Sequence, residues 1–279
     1  MKTLYLSDLD GTFLRSDGSI SDFAKRELNR MTRAGLWFTV ATARTYATVV
    51  PMFRGISLPC PLVLMNGVCI YDGSRQTTLR HHALPKDVGR QCEAIFARYG
   101  KNPMLYFEAD SRIRVEYKFL VNDPQRAYVA QRDNFFNKGF TRVERYSFDS
   151  GDDLIYVVTL DRREEIEDLC RDVRTLPGTD WNFYADTYTG CYFLEGMPKG
   201  VSKASGALEV KQMLGADRIV AFGDNVNDIP LFAAADEAYA VSNACDELKA
   251  AATGVIGSND DDAVVRFLTE RFEKENPNA

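Results

Sequence analysis

The chain has 279 residues, 45% of them hydrophobic, which is enough to bury one large core or two modest ones. Forty acidic against 34 basic side chains leave a formal charge of −6, arguing against nucleic acid or an anionic membrane as the main partner. No apolar run is long enough to span a bilayer, and Asp8 interrupts the apolar start before it can serve as a secretory h-region, so a cytoplasmic protein is expected.

The first predicted element is a short strand, Leu4-Tyr5-Leu6, that runs into Asp8-Leu9-Asp10-Gly11-Thr12. Side chains two positions apart leave an extended chain on the same side, so Asp8 and Asp10 can both face the crevice at the strand's carboxyl end. Open α/β sheets bind their ligands there. Like charges held that close need a cation or hydrogen bonds to compensate them, which suits metal binding or acid–base work. Gly11 lets the backbone turn and a ligand approach it. Taken alone, the pentapeptide reads equally well as an Asp-Gly turn, and its company decides the matter.

Ala24, Leu28 and Met31 then fall on one helical face ahead of Gly35. Residues 36–41 read as a buried strand ending at Thr42, a helix begins near Arg44 and is cut by Pro51, and residues 62–65 form a strand ending at Asn66-Gly67. Strands alternating with helices imply parallel βαβ units, hence a doubly wound, Rossmann-like α/β sheet.

From about Cys69 the pattern changes. Residues 70–71 and 79–83 read as hairpin-like strands. Beyond Pro85 come a helix through Tyr99, strands at 104–107 and 113–116, a helix at 124–137, a strand at 154–160, a helix at 163–173, and strands at 181–184 and 191–194. This order suggests an inserted α+β domain with helices on one face of an antiparallel sheet. Gly196, Pro198 and Gly200 suit a linker. A helix at 202–214, a strand at 218–222 ending in Gly223-Asp224, and further helices and short strands at 239–241 and 255–256 complete the doubly wound part. The expected division is a core of residues 1–82 and 197–279 and an inserted domain of residues 83–196.

Four places share one property, because each lies where a core strand ends or a core helix begins: Asp8 with Asp10, Thr42, Lys203, and the run Gly223-Asp224-Asn225-Val226-Asn227-Asp228. They are expected to meet in space. Lys203 follows a helix-capping Ser202, which puts a cation in the first turn, where the macrodipole disfavours it unless an anion is near. Lys199 is the second-ranked amine. Asp224 continues a strand beside Asp8, whereas Asp228 also reads as a helix cap. Four carboxylates in one crevice are costly without a cation, and hard oxygen ligands with room for water suit Mg²⁺. Neither acidic run has the glycine spacing of an EF-hand loop. Thr42 can be a buried strand residue or a hydroxyl donor to a phosphoryl oxygen.

The six cysteines show no CxxC pairing, which favours reduced thiols over a zinc site. The only histidines, His81 and His82, are adjacent in a strand-like run and so read as ordinary strand residues.

This set resembles the haloacid dehalogenase (HAD) phosphohydrolase superfamily. Its DxDGT motif stands as residues 8–12, its threonine as Thr42, its lysine as Lys203, and a GDxxND-like motif as residues 223–228. The single insertion looks like the type C2B cap of subfamily IIB, and the whole chain resembles the Cof-type sugar-phosphatase branch. Thr42-Ala43-Arg44 stands where the branch usually has Thr-Gly-Arg, and Ala204 follows the lysine where glycine is usual.

The resemblance implies that Asp8 attacks the phosphorus of a phosphomonoester to form an aspartyl-phosphate, with Asp10 as the acid that protonates the leaving alcohol and then the base that activates water. Thr42, Lys203 and Gly11 would hold the phosphate. Asp8, Asp224 and the Asp10 carbonyl would bind Mg²⁺, with Asn227 and Asp228 in support and the cap closing over the site. The implied partner is a small phosphorylated metabolite, and the oligomeric state is left open. Tyr106, Arg112, Arg114, Tyr184 and Tyr188 are candidate cap contacts, although each taken singly reads better as cap-sheet packing or solvated surface.

The same residues admit other readings, of which a P-type ATPase is disfavoured because it carries lysine at the position of Asp10 and needs membrane helices. A phosphomutase or phosphotransferase uses the same core. A receiver domain lacks an acid at the position of Asp10, and a non-catalytic sugar-phosphate sensor would not need Asp8, Asp10 and Asp224 intact.

Overall fold

The computed structural model describes residues 1–133, 139–186 and 190–275. The chain divides into two compact units, Met1–Arg80 with Ser202–Ala279, and His81–Val201. In chain order the first stretch contains β1 (Thr3–Ser7), α1 (Asp22–Arg33), β2 (Trp37–Val40), α2 (Tyr46–Met52), β3 (Leu62–Leu64), β4 (Cys69–Asp72) and β5 (Thr77–His81). There follow α3 (Lys86–Arg98), β6 (Met104–Ala109), β7 (Arg112–Tyr117), α4 (Asp123–Asp133), β8 (Gly139–Arg142), β9 (Asp153–Asp161), α5 (Arg163–Val173), β10 (Thr179–Ala185) and β11 (Tyr192–Pro198). The chain returns with α6 (Lys203–Leu214), β12 (Arg218–Gly223), α7 (Ile229–Ala234), β13 (Glu237–Ala240), α8 (Asp246–Ala251), β14 (Gly254–Val255) and α9 (Ala263–Glu275).

The first unit is built on a parallel sheet of order β14-β13-β12-β1-β2. Its two central strands are apolar on both faces, as a sheet covered on both sides requires: Leu4, Tyr5 and Leu6 in β1, and Ile219, Val220, Ala221 and Phe222 in β12, are all buried. They pair in register from Thr3 opposite Arg218 to Ser7 opposite Phe222, and the Asp8 amide extends the ladder by donating to the Phe222 carbonyl at 2.9 Å. The two acidic loops therefore leave adjacent strands at the same level. α1 starts where the Ser21 hydroxyl accepts from the Ala24 amide at 2.9 Å, and it buries Ala24, Leu28 and Met31. It ends at Gly35, whose φ of +99° lets the Leu36 amide return to the Met31 carbonyl.

Two expectations need correction here. β3 does not join the parallel sheet as a full member; it touches β2 through a single bridge from Ala41 to Val63 and pairs antiparallel with β4 in a small sheet of order β3-β4-β5. Its three residues are too few to span the sheet, and the turn at Met65–Gly67 sends the chain back on itself. Pro51 does not cut its helix but lies one residue from the end of α2, where only one backbone hydrogen bond is lost.

The second unit has a six-stranded sheet of order β10-β11-β9-β6-β7-β8. α3 and α5 pack on one face, where Val88, Cys92, Phe96, Ile166, Leu169 and Val173 meet Leu105, Phe107, Val157 and Leu194. α4 lies on the other face. Its Tyr128 hydroxyl is 2.8 Å from that of Tyr106, and its ring meets Phe140 and Phe193, while Tyr106 and Phe193 alternate with Phe107 and Leu194 along their strands. The helices thus occupy both faces rather than one. The sheet is also not purely antiparallel, because β8, a four-residue strand absent from the sequence reading, runs parallel to β7. Only Phe140 of β8 is buried, too little for a strand pattern to show. The expected helix over 124–137 is described as far as Asp133; its remainder lies outside the described residues.

Gly196 and Pro198, expected in a linker, are strand residues of β11. A Cβ on Gly196 would come within 2.5 Å of the Trp181 ring, so this glycine makes room for an indole rather than for a hinge. No helix among the described residues is long and apolar enough to cross a membrane.

Candidate active site

The site is assembled from the carboxyl ends of β1, β2 and β12 and the first turn of α6. Asp8 leaves β1 with extended backbone, its Oδ1 accepting from the Leu9 amide at 2.7 Å. Lys203, the first residue of α6, reaches across to it: Nζ lies 2.9 Å from Asp8 Oδ1 and 2.7 Å from Asp228 Oδ1. All three are withdrawn from solvent, with side-chain exposures of 2% for Lys203, 9% for Asp8 and 0% for Asp228. The helix-start conflict is therefore resolved by two carboxylates. Lys199, the alternative amine, is exposed and lies in the other unit.

Asp228 is fully engaged as a brace. Besides Lys203, it accepts at Oδ2 from the amides of Asp224 (3.1 Å) and Asn225 (3.3 Å), which folds the 223–228 turn around it. Asp224 is held from the nucleophile loop instead, accepting from the Thr12 hydroxyl at 2.8 Å. Gly11, at φ +73°, turns the chain there, and a Cβ at this position would sit 2.5 Å from Asp224 Oδ2. Both conformation and space demand glycine. The Gly11 carbonyl in turn accepts from Asn243 Nδ2 at 2.7 Å, tying the loop after β13 to the loop after β1.

Ligand oxygens of Asp8, Asp224 and Asp228 lie within 4.8 Å of one another. Burial pushes Asp8 well above the usual carboxylate range, with the charges of Asp228 and Asp224 adding to it against the opposing pull of Lys203. Burial and Asp228 push Asp224 up to about 6. Burial alone would lower the Lys203 ammonium, but Asp228 and Asp8 outweigh it and hold its proton firmly. One cation facing three carboxylates is an under-compensated site, and an all-oxygen donor set of that charge can hold a hard metal ion. The buried Asn227 Oδ1, which has no partner, adds an unused oxygen acceptor in the same turn.

Thr42 lies two residues beyond β2, buried, with its amide donating to the Val63 carbonyl at 3.0 Å and its hydroxyl accepting from the Arg44 amide at 3.2 Å. Asp10 is gripped by Arg44, Nε to Oδ2 at 2.8 Å and Nη2 to Oδ1 at 2.7 Å. Sequence reasoning gave no role to Arg44, Asn243 or Gly67. The only signal for the first two was their position just past a core strand.

Gly67 packs against the start of α6: at φ +94°, a Cβ there would fall 2.1 Å from the Ser202 carbonyl oxygen. Gly67→Ala is therefore expected to push back the turn that carries Lys203, lowering stability by about 2 kcal/mol or more and turnover at least about tenfold. Urea unfolding and initial rates on one preparation test this, and a variant equal to wild type in both would show that the contact yields freely.

The titration of the carboxylates gives a second expectation. A carboxylate raised in the folded state stabilises the fold below its unfolded value near 3.8, and that stability is lost as pH rises through its folded value, about 6 for Asp224. Metal-free protein should thus melt at a higher temperature at pH 5 than at pH 8, by the equivalent of about 1.4 kcal/mol from Asp224. A divalent cation should erase most of the difference. Melting curves at both pH values, with chelator or with Mg²⁺, check this; a metal-free melting temperature that rises from pH 5 to 8 would contradict it.

A doubly wound core with an inserted α+β unit and an aspartate crevice at the β1 and β12 ends defines a hydrolase of the HAD type. The chain belongs to the haloacid dehalogenase-like hydrolase family, whose model matches residues 5–268. Among curated proteins it is similar to the 5-amino-6-(5-phospho-D-ribitylamino)uracil phosphatase YitU of Bacillus subtilis (strain 168), with 27% identity covering 95% of this chain and 96% of that one. It is also similar to the pyridoxal phosphate phosphatase YbhA of Escherichia coli (strain K12), with 24% identity covering 94% and 95%. Among solved structures, a haloacid dehalogenase-like hydrolase from Bacteroides thetaiotaomicron matches with a TM-score of 0.77 at 21% identity, covering 97% of this chain and 99% of that one.

Proposed function

We propose that this enzyme is a magnesium-dependent phosphomonoester hydrolase that acts on a small metabolite phosphate through a phosphorylated Asp8. The observation that carries the reading is the buried Asp8–Lys203–Asp228 chain with Asp224 beside it, Asp8 standing two residues upstream of a second aspartate, Asp10. Lys203 holds the attacking carboxylate in one orientation and supplies the positive charge a phosphoryl group needs on approach. Asp8 forms the bond to phosphorus. Asp10 gives its proton to the departing alcohol and takes one from the water that releases phosphate.

Thr42 and the Gly11 loop would hold phosphoryl oxygens. Asp8, Asp224 and the Asp10 carbonyl would hold Mg²⁺, which supplies charge neutralisation between two anions. Asp228 is better suited to bracing than to ligation, because its oxygens are already taken by Lys203 and two amides. Substrate choice is assigned to the second unit. Tyr106 is buried there, Arg114 is paired with Glu116 and Asp152, Arg112 is exposed and Tyr184 half-buried, while Tyr188 lies outside the described residues.

The relatives named above act on a ribityl phosphate and a cofactor phosphate, so both belong with sugar and nucleotide phosphates in the test panel. Phosphate release that needs Mg²⁺ and vanishes in Asp8→Asn supports the reading. No release from any member by folded protein with Mg²⁺ present would end it, and an isomerised sugar phosphate without free phosphate would make the enzyme a mutase.

A further inference from the structure

Arg44 takes both carboxylate oxygens of Asp10 with one guanidinium, across 34 residues of sequence. Arg15–Asp262 and Arg271–Glu237 in the same unit are two-point pairs as well, and what sets Arg44 apart is that its carboxylate stands two residues after Asp8. Arg44 is itself anchored on both sides of its α-carbon: its amide donates to the Thr42 hydroxyl at 3.2 Å, and its carbonyl accepts from the Met65 amide at 3.0 Å. Its remaining terminal nitrogen lies 3.7 Å from the Met52 sulfur. The side chains are 28% and 37% exposed, and a half-exposed pair of this kind contributes little to stability, about 0–1 kcal/mol. What the fork does fix is direction, since a planar two-point grip sets the rotation of the carboxyl group.

We propose that Arg44 is the positioning residue for Asp10, a pivot that aims the carboxyl at the leaving oxygen and then at water. The inference rests on the acid–base reading of Asp10 given above. As the Asp8 oxygen bonds to phosphorus and the ester P–O bond breaks, Asp10 passes its proton to the departing oxygen. In the second step it accepts a proton from water, whose oxygen bonds to phosphorus as the Asp8–phosphorus bond breaks. Protonation of one Asp10 oxygen removes the carboxylate charge and weakens the bond that oxygen accepts from the fork, so the hold on Arg44 shifts to a single point, the other oxygen. The main-chain anchors keep that point fixed through both steps.

The test compares Arg44→Ala, Arg44→Lys and Asp10→Asn on two esters. An alkyl phosphate such as ribose 5-phosphate needs the acid to expel its alkoxide, whereas p-nitrophenyl phosphate expels a stable phenolate without help. Arg44→Ala is expected to lower kcat on the alkyl ester by about 10–100-fold with little change in KM, while keeping the nitrophenolate burst of one equivalent per site. Guanidinium ion should partly restore the alkyl rate. Arg44→Lys keeps the charge without the fork and should remain impaired.

Equal losses on both esters in single-turnover phosphorylation, the step in which the leaving groups differ, full activity in Arg44→Lys, or a change confined to KM would each overturn the positioning role. If Asp10→Asn itself treats the two esters alike in that step, the assignment of Asp10 falls and this proposal with it. A mutant Asp10 that discriminates between them beside an Arg44→Ala that does not would sink the Arg44 proposal alone.

Discussion

Asp8→Asn is expected to reduce phosphate release by at least about 10³-fold and, at the same time, to make the metal-free protein more stable. Asparagine is nearly isosteric with aspartate. Its oxygen can still accept from the Leu9 amide and from Lys203, so the loop geometry survives. It cannot form the bond to phosphorus. It also removes one of three carboxylate charges that share a single buried ammonium, and burial already drives the Asp8 carboxyl far above its ordinary range. Relief of that repulsion should be worth about 1–2 kcal/mol at pH 8 in chelator. Turnover and melting temperature measured on one preparation decide both halves. Activity within tenfold of wild type would remove Asp8 from the chemistry, and a lower melting temperature would show that its charge supports the fold.

Lys203→Met should have the opposite effect on stability and an effect on rate nearly as large. The side chain is 2% exposed and is the partner of both Asp8 and Asp228. Methionine fills much of the volume but leaves Asp228, wholly buried, with two amide donors and no cation. Breaking a buried pair by deleting one partner costs about 3–5 kcal/mol, far more than the pair contributes when intact. Loss of the oriented charge should lower kcat by about 10²–10³-fold.

A loss of folding could mimic that loss of rate, and a double variant separates the two. Adding Asp8→Asn to Lys203→Met should return part of the lost stability, because the deleted cation then has one fewer orphaned carboxylate. Strictly additive melting temperatures in this cycle would mean that the two side chains do not feel each other.

The parts of the site that could be read from the sequence are those whose position follows from strand direction. Asp8 and Asp224 stand where apolar runs stop, and parallel strands put such stops on one edge, so their meeting needs no knowledge of side-chain detail. Lys203 was legible for a similar reason, as a cation misplaced at a helix start. Arg44 was not, because its partner is set by which way two side chains turn after leaving their strands, and periodicity does not encode that. Asn243 acts through a carbonyl 232 residues away, with no pattern linking the two.

In the fold, the errors fall where local composition and tertiary context part company. Gly196 and Pro198 look like punctuation, but an indole presses on one and β10 pairs with both. α4 carries the same kind of polar and apolar mixture as its neighbours, and nothing in its own residues says which face of the sheet it covers. β3 has the composition of a buried parallel strand; only its brevity and the turn after it decide its partners.

The pairing of β1 with β12 bears on how the enzyme is made. The nucleophile strand is synthesised before its partner, residues 218–223, and is separated from it by more than two hundred residues. Contacts of that span form late, and until they do the Asp8 loop has neither its ladder to Phe222 nor its brace from Asp224. A nascent chain stalled before β12 would therefore carry the reactive aspartate without the means to use it, while residues 81–201, whose sheet pairs only within itself, already have everything their own core requires. Chemical competence waits for the synthesis of β12 and the turn that follows it.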